Sequence, residues 1–212
     1  MSAPPPIVVV SGLPRAGTSL LMQMLAAGGL PLLADDGRAP DESNPKGYLE
    51  WQGAKHLPQD PGAIRAARGR AVKVIAALLP SLPESERYRV LFAERDAREI
   101  DASQRAMLAR QAAARGTPPL AGDELDPAAL EAHVERIRAW LAEPARRDRF
   151  PVLRVRHGDV LRSPREAAAR IAEFLAPTGV RLDPASMAAA VDPVLYRARV
   201  TTRGMPSGAG VR

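Results

Sequence analysis

The chain has 212 residues and no cysteine, which leaves length for a full hydrophobic core and excludes disulfides, thiolate metal sites and a cysteine nucleophile. Lys and Arg exceed Asp and Glu by 30 to 24, a net charge of +6 that favours anionic ligands. Nucleic acid is a poor fit for that ligand, because the arginines are scattered and only 4% of residues are aromatic, too few to stack on bases. The opening "MSAPPPIVVV" lacks a basic leader and its apolar run is too short for a signal peptide. No segment approaches the roughly 20 apolar residues of a membrane helix. The expectation is a single cytoplasmic domain over residues 1–212, with no membrane partner.

Pro6 to Gly12, "PIVVVSG", is a continuous apolar run of the kind that forms a central parallel strand buried on both faces. A helix is expected from about Gly17, with Leu20, Leu21, Met24 and Leu25 on one side and Gly28-Gly29 as its stop. Residues 30–69 are rich in Pro, Gly, Asp and Asn and have little periodicity, so they read as a long functional excursion. Arg70 to Leu79 and Tyr88 to Asp96 read as two strands separated by the breaker "PSLP". Asp96, with Glu99 three residues on, resembles a capping box opening a helix to about Arg115. Residues 116–127 form a loop. Leu130, Val134, Ile137 and Leu141 then make an amphipathic stripe, and Phe150 to Val160 returns as a strand. Ser163-Pro164-Arg165-Glu166 is a helix start with Ala167, Ile171, Phe174 and Leu175 as its buried face. The stretch from about residue 200 onward reads as a frayed tail. Strands alternating with helices predict an α/β fold: a P-loop NTPase-like, three-layer domain with a central parallel sheet flanked by helices.

The segment from Gly12 to Ser19, "GLPRAGTS", carries the chemistry. Two glycines at P-loop spacing are followed by Thr18-Ser19 instead of Lys-Ser. Gly17 lets the backbone approach an anion, successive N–H groups converge on it, and the following helix adds positive potential. Lost is the lysine that reaches β- and γ-phosphates; a cation stands earlier instead, at Arg15. Such a loop holds one phosphate well and a triphosphate poorly.

The loop resembles the 5′-phosphosulfate loop of sulfotransferases of bacterial type that use 3′-phosphoadenosine-5′-phosphosulfate (PAPS). In particular it is similar to the Pro-Arg-x-Gly-Thr loop of protein-tyrosine sulfotransferases. A second element joins it: "RDAREIDAS" has Arg95 at a strand end and Ser103 eight residues later, the arrangement with which the family binds the 3′-phosphate. The resemblance implies a PAPS site made of Pro14, Arg15, Ala16, Gly17, Thr18, Ser19, Arg95 and Ser103. The Arg-Lys-Gly of cytosolic relatives has only Arg203-Gly204 as a faint counterpart, and Arg197, with Arg199, is the substitute expected for it.

The resemblance further implies sulfuryl transfer to a hydroxyl or amine of a small-molecule, glycan or peptide acceptor, with 3′,5′-adenosine bisphosphate as product and no metal. Arg15 is placed at the bridging oxygen. Lys73 interrupts an apolar strand, where a charge must face a partner or a cleft, and relatives place a sulfate-contacting Lys on a comparable strand. Glu50, in "NPKGYLEW", is the expected general base, with His56 next in line. His133 and His157 read as surface and structural residues. Two alternatives stand beside this: a P-loop kinase or other NTPase, with Glu94 or Asp96 for magnesium, and a non-catalytic nucleotide-binding protein.

Overall fold

The computed structural model describes residues 4–35, 40–41, 44–116, 127–143 and 148–192. Five parallel strands form one sheet: β1 (Ile7–Gly12), β2 (Leu32–Leu33), β3 (Ala71–Lys73), β4 (Tyr88–Glu94) and β5 (Val152–Arg156), in the order β2-β3-β1-β4-β5. The expected α/β architecture is therefore present. All six residues of β1 are buried, as the uninterrupted apolar run requires of a strand covered on both faces.

Alternation along the strands divides the core in two. Val8, Val10, Leu91, Ala93 and Val155 face α1 (Thr18–Ala27) and α5 (Pro164–Leu175). The short helix α6 (Pro184–Ala189) joins the same side, its Met187 filling the space beside Gly28. Ile7, Val9, Val72, Val90 and Phe92 face the other way, toward three 3-10 segments and α3 (Pro127–Ala142). There the few aromatics gather: Tyr88 stacks on Phe150 at 4.7 Å, and Trp140 meets Phe150 edge-on at 5.4 Å. Helix α2 (Ala97–Arg115) follows β4, and α4 (His157–Arg162) follows β5.

Several expectations need correction. The strand expected over 70–79 ends at Lys73 and becomes a 3-10 segment, Ala76–Ser81. Its second half holds Ala-Ala-Leu-Leu and a donorless Pro80, so the β-branched character of Val72 and Val74 is not sustained. The excursion is not all loop: Gln52–His56 and Pro61–Ala67 are 3-10 turns that bury Ala54, Ile64 and Ala67. The strand expected over 150–160 stops at Arg156, and His157 opens α4. Asp96 caps α2 by accepting from the Arg98 N–H at 2.8 Å, while Glu99 bonds to Arg95 and does not close the box. Ser163 precedes α5 without a side-chain capping bond. Residues 117–126 and everything from 193 onward, including Arg197, lie outside the described residues.

Candidate active site

Strand order determines where a site can form. The connection leaving β1 runs toward β2 and β3, whereas that leaving β4 runs toward β5. Between β1 and β4 the winding therefore reverses, and the crevice beyond their C-terminal ends is where ligands bind in open α/β sheets. A cavity of about 610 Å³ lies there, within the range of small-molecule sites. Pro14, Arg15, Gly17, Thr18, Ser19, Glu50, Lys73, Arg95 and Ser103 all line it. Residues spread over 90 positions of sequence thus meet in one hollow, with five Lys or Arg side chains lining it against the carboxylates of Glu50 and Asp192.

The loop between β1 and α1 is bent by three left-handed residues: Gly12 at φ 146°, Arg15 at φ 68° and Gly17 at φ 105°. Arg15 is the unusual one, since a side chain there costs roughly 1–2 kcal/mol relative to an ordinary conformation. Strain of this sort persists where surroundings hold it. Here Arg95 Nη1 donates to the Arg15 carbonyl at 3.1 Å, and Arg15 Nε donates to Ser103 Oγ at 3.1 Å. Gly17 precedes α1 without a side-chain cap, and no acidic residue occupies the first turn. The helix start is left open to an anion. Ala16, in contrast, is buried behind the loop with its N–H bonded to Leu13 O, and it does not line the cavity.

Ala16 aside, the described residues expected to form two anion subsites line this one hollow. On the α2 side stand Arg95, with a side chain only 7% exposed and paired with Glu99 at 3.0 Å, and the buried Ser103. Burial lowers the pKa of Arg15, and the neighbouring charges of Arg95 and Arg110 push the same way, against Tyr48 and Asp41. On the β3 side, Lys73 is 6% exposed. Its Nζ donates to Ser19 Oγ at 3.0 Å and to the Tyr48 carbonyl, and lies 3.9 Å from Glu50 Oε1. A lysine thus reaches the anion loop from the neighbouring strand β3. Tyr48 is anchored through its hydroxyl, which donates to Asp41 at 2.8 Å, and Leu49 beside it takes a left-handed φ of 51°. The backbone turn at Leu49 separates the Tyr48 carbonyl from the Glu50 side chain, so that Lys73 meets both.

His56 is not brought to this place: it is exposed on a 3-10 turn and does not line the cavity. His157 is. It sits at the end of β5, lines the cavity, and packs so closely on Gly17 that a Cβ there would stand 2.5 Å from His157 Cδ2. Burial first, then the Arg95 charge, holds the imidazole at a pKa of about 4, against the opposing pull of Glu99. Histidine following a strand's last residue was its available signal in sequence, since strand C-terminal ends carry sites. Lys46, Arg110 and Asp192 are further lining residues that no motif singles out. Glu94 and Asp96 are otherwise engaged: Glu94 accepts from Arg138 at 2.8 Å, and Asp96 caps α2. Among the described residues there is no group of three or more acidic or histidine side chains able to hold a metal ion, and no helix long and apolar enough to cross a membrane.

No protein-family model matches the chain, and no curated protein matches it in sequence. Solved structures do match. The sulfotransferase domain from the curacin biosynthetic pathway aligns at 14% identity and a TM-score of 0.48, over 94% of this chain and 93% of that one. The sulfotransferase domain of the olefin synthase from Synechococcus PCC 7002 aligns at 17% identity and a TM-score of 0.50, over 96% of this chain and 91% of that one. At this identity the likeness is one of architecture: the chain has the α/β fold of a sulfotransferase domain.

Proposed function

We propose that this protein is a PAPS-dependent sulfotransferase, moving a sulfuryl group in line to a hydroxyl or amine of a small-molecule, glycan or peptide acceptor. One observation carries the reading: Arg15, Arg95 and Ser103 are joined by one set of hydrogen bonds, Ser19, Lys73 and Glu50 by another set of polar contacts, and both groups line a single cavity. The residues fit an adenosine carrying charge at both ends. Both groups include cations, the uncapped start of α1 adds N–H donors beside Ser19, and Leu13, Leu20 and Met107 supply apolar lining. The cofactor, when bound, supplies the sulfuryl group and departs as 3′,5′-adenosine bisphosphate.

The rest is work for the chain's own side chains. The loop N–H groups, Thr18 and Ser19 bind the 5′ end; Arg95 and Ser103 bind the 3′-phosphate. Glu50 is the group to take the acceptor proton, and Lys73 is placed to hold negative charge beside it. Most of the acceleration in such transfer comes from positioning and charge stabilisation.

The decisive experiment is thermal protection. Adenosine 3′,5′-bisphosphate should raise the melting temperature without Mg²⁺, and labelled PAPS should pass its sulfate to an acceptor in fractionated extract. Protection that requires Mg-ATP would instead establish the kinase reading, and binding without any transfer would establish a non-catalytic nucleotide-binding protein.

A further inference from the structure

Helix α2 carries more than one group toward the cavity. Ser103, Met107 and Arg110 fall at i, i+4 and i+7, one face of a helix, and all three line the hollow. Arg15 lies along that face, its Nε bonded to Ser103 Oγ at 3.1 Å and its Nη1 reaching Met107 Sδ at 3.8 Å. The next turn of the same stripe is Arg110. Arg105, on the same helix, is exposed, pairs with Asp101 at 2.6 Å and does not line the cavity.

Three guanidinium groups therefore border this end: Arg95, Arg110 and Arg15, whose expected place at the bridging oxygen gives way to its bond with Ser103. Arg95 has Glu99 as a carboxylate partner, whereas Arg15 directs one of its donors at a thioether, a weak acceptor. Burial is the main influence lowering the Arg15 pKa, with Arg95 and Arg110 adding to it and Tyr48 and Asp41 opposing it. A phosphate monoester, with close to two negative charges and three acceptor oxygens, is the ligand such a concentration of forked donors suits.

We propose that Arg110 is a third cation of the 3′-phosphate pocket, so that α2 itself provides the charge for which a C-terminal Arg-Lys-Gly would otherwise be needed. This rests on reading the cavity as an adenosine bisphosphate site. Its test compares two ligands that differ only in the 3′-phosphate, adenosine 3′,5′-bisphosphate and adenosine 5′-monophosphate, by calorimetry at fixed salt.

Wild type should prefer the bisphosphate. Arg110→Ala should weaken the bisphosphate by about tenfold or more and leave the monophosphate unchanged. Arg110→Lys should recover part of the loss, and Arg105→Ala should keep the wild-type preference. Equal weakening of both ligands, an unaltered preference in Arg110→Ala, or an equal loss of preference in Arg105→Ala would overturn the assignment while leaving the cavity's reading intact. A wild-type chain that holds the two ligands equally overturns that reading, and Arg110's role with it.

Discussion

Glu50 and Lys73 stand 3.9 Å apart, so the carboxylate has its counter-charge beside it in the cavity. In the proposed function Glu50 takes the acceptor proton. Glu50→Gln should therefore retain affinity for adenosine bisphosphate and lower turnover by about 10²–10⁴-fold; wild-type turnover would move the base elsewhere. His157 makes a different kind of statement. Its pKa of about 4 lies below the ordinary histidine value, so the unfolded chain takes up a proton on acidification before the folded chain does. Stability from this residue is complete above about pH 6.5 and is lost as pH falls toward 4, by up to about 3 kcal/mol. Chemical denaturation at pH 7 and pH 4 should show a smaller loss for His157→Asn than for wild type, and identical losses would reject the linkage. At the α2 side, Arg95→Ala and Ser103→Ala should each weaken bisphosphate binding by about 1–3 kcal/mol through lost charged hydrogen bonds. Unchanged affinity in both would refute the phosphate assignment.

The anion loop and α1 form an element whose geometry depends on Gly17. At φ 105° a side chain is strained, and its Cβ would meet the His157 ring at 2.5 Å. Gly17→Ala should destabilise the fold by about 1–3 kcal/mol and loosen ligand binding. Adding His157→Ala should relieve the collision but not the backbone strain, which unfolding curves of the single and double variants separate. Much of this element was legible beforehand, because an apolar run, two glycines and a helical stripe are local signals. The loop's partners in Arg95 and Ser103 were legible only through the family resemblance. The packing of His157 on Gly17 was not legible, since it joins residues 140 positions apart and nothing local marks it. Lys73 was visible as an anomaly in an apolar strand, yet its reach to Ser19 depends on β3 lying beside β1. Helix α6 went unread although its signals are present: Asp183 accepts from the N–H groups of Ala185 and Ser186, and Pro184 opens the helix. The end of β3 misled, because Ile75 extends the β-branched run into a stretch that turns 3-10.

At the scale of the whole molecule, β1 is hydrogen-bonded on both sides, by β3 and β4, and covered on both faces. Its amides should exchange with solvent deuterium only through global opening, and those of the two-residue edge strand β2 much earlier; comparable protection at the two would contradict a core centred on β1. The parallel arrangement also brings four cavity-lining side chains out of one end of the sheet. Arg15 follows β1, Lys73 ends β3, Arg95 follows β4 and His157 follows β5. The opposite end, around Pro5, Arg87, Arg149 and Pro151, contributes nothing to the cavity. That division sets the cavity at one end of the sheet and Arg87 at the other. A surface tether, fluorophore or fusion joined near Arg87 would leave the entrance clear, whereas the same attachment near Lys46 would sit across it.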